Sequence, residues 1–435
     1  MISGPPRINL RSVLVRFPFL KTHQYSILNL NHSTLLGRVK MAATFPVGVN
    51  PSMPKGDSRF KPPIEFACFS YDKDHQFRLD DSSLKWYYPP QGDLYGLDLS
   101  RGFETFDKHD DSVDEHLVSL LKTIADHEEK TGKQIDAEFV TWRGMMTKIM
   151  AAPYDDEGFE MNATLYRDCI FIEENHSFKV KNQQEQNNRQ RTSNNNNNQR
   201  RNYQNNNNNN NPPPEVMQFW GYKFETLCTL PRPWGEVSRD YIESRDSLPV
   251  SNKEQYCSVV RTGIDNDKHK IVLGGEVDCI WDSRKSSSKN NWVELKTSVE
   301  MRNNTNDEFF FMKRKMFKFW IQSFLLGVPK IAVGFRDRNG FLKRVQEFET
   351  ESLPGLAMRD NRVEWRMDGC VDFLERFLSW LKETINDGVW RIRRQKGAKE
   401  IEVWRVEEAG HGEILTDEFM NWRIKLEMKG MEGQS

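Results

Sequence analysis

No run in the 435-residue chain is apolar for long enough to make a transmembrane helix, which needs about 20 such residues; no membrane partner is expected. Neither sign of charge predominates: 62 Lys and Arg stand against 63 Asp and Glu, for a formal net charge of −1. Without a global positive field, a phosphate-bearing partner must be held locally by a few Arg or Lys and a metal ion. Cysteine is scattered (Cys68, Cys169, Cys228, Cys257, Cys279, Cys370). The chain has neither a CxxC nor a His/Cys pair at zinc-ligand spacing, which argues against zinc and for buried free thiols. Residues 1–56 contain no Asp or Glu but several Arg and Lys. They read as a disordered basic extension outside the folded domain, either an organelle transit peptide or an untranslated stretch upstream of a start at Met41. Residues 181–214 are Asn-rich and almost free of apolar side chains. Such a segment cannot offset its ordering entropy, so a disordered insertion within one domain is expected.

What is present alternates between two periods. Apolar and polar residues alternate through 62–90, which predicts strands and turns. The i, i+3, i+4 spacing predicts helices over 111–133, 216–230, 307–327 and 370–387. "AEFVTWRGMMTKIM" (137–150) reads as a strand with a turn at Gly144, and "LYRDCIFIEE" (165–174) as another strand. A hairpin over 330–350 turns at Asn339-Gly340.

Chemistry gathers in "GGEVDCIWD" (274–282) and "NWVELKTS" (291–298). Side chains at i and i+2 of a strand share a face, so Glu276 and Asp278 project together, as do Glu294 and Lys296. If the two strands pair, three carboxylates and one ammonium converge. That arrangement is unfavourable unless a cation neutralises it. Carboxylates on rigid strands suit Mg²⁺ or Mn²⁺, and paired metals clamp an in-line phosphoryl displacement. Lys296 could orient or deprotonate an attacking water, or hold a phosphate oxygen. A D…ExK pattern on adjacent strands marks a broad nuclease superfold; the structural alternative is a solvated hairpin face with cross-strand ion pairs. The apolar opposite faces and flanking Trp281 and Trp292 favour central strands. Glu225 lies one helical turn beyond Gly221, and Gln322 on an otherwise apolar helix needs a partner, either a core hydrogen bond or a phosphate.

These residues resemble the motifs of the DXO-type RNA decapping and pyrophosphohydrolase family: "TWRGMMTK" with Arg143, "GYKFE" with Glu225, "GGEVD" with Glu276 and Asp278, and "VELK" with Glu294 and Lys296. The order matches, over roughly residues 63–400, and the flanking text is most similar to the fungal branch. The resemblance implies a single α+β domain over 57–435, with a central mixed β-sheet flanked by helices around a PD-(D/E)XK-nuclease-like core. It implies that Glu225, Glu276, Asp278, Glu294 and the Leu295 carbonyl bind two Mg²⁺ or Mn²⁺ ions, with Glu276, Asp278, Glu294 and Lys296 catalytic. Trp142, Arg143, Gly144, Cys257, Glu276, Lys296 and Gln322 would contact substrate, although Cys257 also reads as a small buried hydrophobe and Arg143 as the ion-pair partner of a carboxylate. The implied substrates are RNAs with a 5′-triphosphate, an unmethylated cap or an NAD cap. The implied partner is the nuclear 5′–3′ exoribonuclease, and hence the location is the nucleus. Rival readings are a DNA endonuclease of the same superfold and a non-catalytic subunit of that exoribonuclease.

Overall fold

The computed structural model describes residues 42–49, 60–92, 94, 96–185, 212–265, 268–281, 290–302 and 305–432. The elements that build the site are, in chain order, strand β1 (Phe139–Trp142), helix α1 (Arg143–Ala151), helix α2 (Pro214–Cys228), strands β2 (Gln255–Ile264), β3 (His269–Glu276) and β4 (Trp292–Val299), helix α3 (Phe317–Leu326) and strand β5 (Lys330–Arg336). β3 lies inside a ten-stranded mixed sheet, parallel to β1 on one side and antiparallel to β2 on the other. β4 lies inside a second, six-stranded sheet, parallel to β5 and antiparallel to Cys279–Ile280. The fold is mixed α+β.

The stretches 274–282 and 291–298 therefore pair only through Cys279–Ile280, while β3 itself does not pair with β4. β3 already has a neighbour on each edge, so the chain leaves the larger sheet at Val277–Asp278 and enters the smaller one at Cys279. The ExD motif spans that crossing.

Both strands are largely buried because helices cover the sheets, although β4 carries Glu294 and Lys296 on one face. α1 packs on α3 and on the helix Met367–Thr384, and α2 packs on β4. A stacked group of Phe317, Trp320 and Trp365 fills the space beneath α3. Trp320 and Trp365 are almost fully buried, and each large side chain removed from water contributes on the order of 1.5–3 kcal/mol.

Several expectations change. Gly144 makes no turn: it lies in the first turn of α1, directly after β1. Met145, Met146, Ile149 and Met150 recur at helical spacing and are buried, which outweighs the cost of about 1 kcal/mol for one helical glycine. The 165–174 segment is a hairpin of Phe159–Tyr166 and Cys169–Glu174, with Arg167 and Asp168 left-handed at its tip. The helix expected over 111–133 forms only from Val118 to Thr131. Ala43–Pro46, placed outside the domain by composition, is an edge strand on Glu400–Glu407. Phe45 anchors it against Phe373, Phe377 and Trp380. Residues 181–185 continue a helix and α2 begins at Pro214, so the proposed insertion shortens at both ends. The rest of it, and residues 1–41 and 50–56 of the basic extension, lie outside the described residues. The hairpin over 330–350 forms as expected.

Candidate active site

Arg143 is the first residue of α1 and stands over the end of β3 because β3 carries glycine there. A Cβ on Gly275 would lie 3.1 Å from the Arg143 Cβ, and one on Gly274 would lie 2.7 Å from the Trp142 ring. The same Gly275 position faces Leu326 of α3 at 3.2 Å. Gln322, one turn before Leu326 and half-buried, shares that helix face.

The charged groups meet where the two sheets adjoin. Glu294 is buried, with Lys296 Nζ at 2.6 Å and Arg143 Nη1 at 3.5 Å from its Oε1. The Leu295 amide donates to Asp278 Oδ2 at 2.6 Å. Glu225 of α2 lines the same cleft as Glu276, Val277 and Asp278. Its rim includes Lys85, Tyr222, Glu254 and Tyr256, and Lys85 Nζ is 3.7 Å from Glu254. None of these four carries a sequence signal: their places in the cleft come from strand and helix placement alone.

Electrostatics divides the carboxylates into two kinds. Burial, then repulsion from Asp278 and Glu276, pushes Glu225 well above the ordinary carboxylate range. Burial also raises Glu276, against the pull of Arg143 and Lys296. Asp278 rises to about 7 through burial and then the charge of Glu294. Glu294 behaves oppositely: burial opposes its ionisation, but Lys296 and Arg143 outweigh burial and hold it below the usual range. Lys296 is held charged despite its own desolvation by Glu294 and Asp278.

These residues fit a hard divalent cation. Three half-buried carboxyl groups resist ionisation in one another's presence, and the donors are all oxygens. Glu294 Oε2 and Arg143 Nη1 are buried without a hydrogen-bond partner among the described residues, Nη1 having only the 3.5 Å ion pair to Glu294 Oε1, so an ion and a ligand can satisfy both.

Two other expected residues sit differently. Trp142 is turned into the packing: its ring covers Gly274, and its indole N–H donates to the His116 carbonyl at 3.0 Å. It lines a neighbouring cavity with His116 and Glu173. Cys257 is buried on β2 directly opposite Glu276. Burial, then the Glu276 charge, pushes its thiol well up, so it is an inert small apolar wall. Gly144 is half-buried with open space where a side chain would stand.

Acidic groups where a central strand ends, with an ExK on a strand of the adjoining sheet, define a metal-dependent nuclease core of the PD-(D/E)XK type. Residues 61–420 match the family described as RAI1 like PD-(D/E)XK nuclease, and the chain belongs to that family. The decapping nuclease RAI1 of Neurospora crassa is 57% identical over 393 residues, covering 89% of both chains. That of Candida albicans is 35% identical, covering 84% of this chain and 95% of its own. The crystal structure of Candida albicans Rai1 in complex with pU5 and Mn²⁺ superposes with a TM-score of 0.78 at 32% identity, covering 89% of this chain and all of that one. Scheffersomyces stipitis Rai1 in complex with (3′-NADP)⁺ and calcium gives 0.75 at 27%, covering 88% and 99%.

Proposed function

We propose that this chain is a metal-dependent hydrolase of RNA 5′ ends. It releases pyrophosphate from 5′-triphosphate RNA and removes incomplete or NAD caps. The observation that carries this reading is the pairing of Arg143 and Lys296 over Glu294, two fixed cations facing a carboxylate metal site.

Glu225, Glu276, Asp278, Glu294 and the Leu295 backbone hold the divalent ions. Bound there, the ions polarise the phosphate and lower the pKa of a water. Lys296, 2.6 Å from Glu294, is placed to hold a phosphate oxygen or to orient the attacking water. Arg143 offers its free donor to a terminal phosphate through a charge-assisted bond. Gln322 supports the same phosphate from α3.

The RNA body has a path beside this centre. A cavity of about 960 Å³ begins at Ser298, two residues beyond Lys296, and is lined by Arg302, Arg314, Lys315, Arg338 and the half-exposed Phe310. Cations that track a backbone beside a ring on which bases stack suit single-stranded nucleic acid. The same lining holds Glu300, Asp307 and Asp337, so its four basic side chains exceed the acidic ones by a single charge.

The deciding experiment uses end-labelled RNAs of one sequence bearing a triphosphate, an unmethylated cap, an NAD cap, a hydroxyl or no end at all. We expect turnover of the first three with Mn²⁺ and an intact circle. Efficient cutting of the circle would promote the endonuclease reading.

We propose in addition that the protein works in the nucleus, bound to a 5′–3′ exoribonuclease. The support is Trp234, 70% exposed beside a cavity of about 670 Å³ lined by Leu97, Leu227 and Ile242. Exposed tryptophans at such a patch are common binding anchors. Trp234→Ala should weaken calorimetric binding to the exoribonuclease more than tenfold while leaving hydrolysis intact; unchanged binding removes this surface from the proposal. Imaging of a tagged chain tests the location.

A further inference from the structure

We propose that His75, His109 and Glu115 form a second cation site, for a borderline ion of the Zn²⁺ type, distinct from the carboxylate centre. Their ligand atoms all lie within 4.8 Å of one another. His75 Nε2 is 3.1 Å and His109 Nε2 3.3 Å from the same oxygen, Glu115 Oε1. Ligands at zinc–nitrogen and zinc–oxygen distances around a tetrahedral ion stand roughly 3.3–3.4 Å apart, so the His75–Glu115 edge is already close to its bound length.

The hydrogen bonding of the neutral His75 ring leaves a place for a cation between these atoms. His75 Nδ1 lies 2.8 Å from the Lys253 carbonyl oxygen. A carbonyl only accepts, so Nδ1 carries a hydrogen and Nε2 of the neutral ring carries a lone pair. That lone pair faces the lone pairs of Glu115 Oε1. An imidazole with its far nitrogen tied to a backbone carbonyl is also the usual state of a metal-bound histidine, because the bond fixes tautomer and ring direction.

The remaining geometry permits loading. The His75 ring is stacked between Tyr71 and His109, with ring centroids 4.0 and 3.7 Å away. His109 therefore has to turn its ring edge-on to complete the shell. Its side chain is 24% exposed, on an irregular segment, and Glu115 is 49% exposed, so the ion has access and water can take the fourth position. The three ligands come from the Tyr71–Phe77 turn and from the segment leading into the helix Val118–Thr131. Lys253, just before β2, pairs with Asp107 at 2.6 Å and holds the same two segments together. A bound ion would staple the entrance of β2.

The test titrates chelator-treated, full-length protein with Zn²⁺ in a calorimeter, in a Glu276→Gln/Asp278→Asn background that silences the carboxylate centre. One equivalent of Zn²⁺ is expected, accompanied by a rise in melting temperature and by shifts of two histidine NMR signals. Adding His109→Gln or Glu115→Gln should weaken binding at least about tenfold; both side chains are partly exposed, and circular dichroism reports whether the variants fold. Absence of Zn²⁺ binding, which would mean that only a proton bridges these atoms, overturns the proposal. So does affinity unchanged in both variants.

Discussion

The Leu295 amide donates to Asp278 at 2.6 Å, and this one bond joins the exit of the ten-stranded sheet to a central strand of the six-stranded one. A residue expected to bind metal is thus also a structural acceptor. Substitutions at 278 separate the two roles.

Asp278→Asn keeps an oxygen for the Leu295 amide and loses the charge. Metal-dependent hydrolysis of triphosphate RNA should fall by roughly a hundredfold or more, while the melting temperature of the metal-free protein holds or rises. Asp278→Ala should lose the same activity and, with a buried N–H left unpaired, be less stable than Asn by about 1–3 kcal/mol. Denaturant melts of the two variants decide it; equal stability would show that the bond contributes nothing.

A pH dependence follows from the same carboxyl group. Asp278 titrates near 7 when folded, against an ordinary value of 3.8. Between those values the folded chain binds more protons than the unfolded one, so this group's stabilising contribution is full at low pH and lost as pH rises through 7. In chelator, wild type should lose stability relative to Asp278→Asn between pH 5 and 7.5. Saturating Mn²⁺ should abolish that loss. A wild-type-minus-variant difference that stays flat with pH would refute the raised carboxyl.

Arg143→Ala tests whether its 3.5 Å approach to Glu294 is purely structural. A charge-assisted bond to a terminal phosphate is worth about 1.5–3 kcal/mol, so triphosphate RNA should lose roughly ten- to a hundredfold in rate while stability changes little. Lys at 143 should restore only part, having no planar fork. Equal losses on every substrate, together with a lower melting temperature, would make Arg143 a mere partner of Glu294.

In the neighbouring groove, Arg314→Ala and Arg338→Ala should each reduce the slope of log affinity against log salt by roughly 1 for single-stranded RNA. Mononucleotide affinity should not change. Binding titrations at several salt concentrations provide the check, and an unaltered slope would remove these residues from the RNA path.

The motifs were legible because they are local. Glu276 and Asp278, and Glu294 and Lys296, are two residues apart, and strand alternation places each pair together wherever the strand goes. Gly274 and Gly275 lie within the acidic motif, but what requires them, the Trp142 ring and Arg143 pressed against β3, depends on a helix that begins at Arg143 and runs through Gly144. Trp142 beside Arg143 looked like a substrate contact, and its bond to the His116 carbonyl took it out of the cleft. Ala43–Pro46 looked dispensable by composition, and a long-range pairing with Glu400–Glu407 brought it into the larger sheet.

By itself the sequence determined the class of the chain, its acidic motifs and their order, and the helices with strong period, since each depends on neighbours within a few residues. Only the tertiary structure decided which sheet each motif strand joins, that Lys85 and Tyr256 border the cleft, and that His75 meets His109 and Glu115. Those facts rest on contacts between segments far apart in the chain. Local spacing carries no information about them, because packing against the rest of the fold sets which distant segments meet.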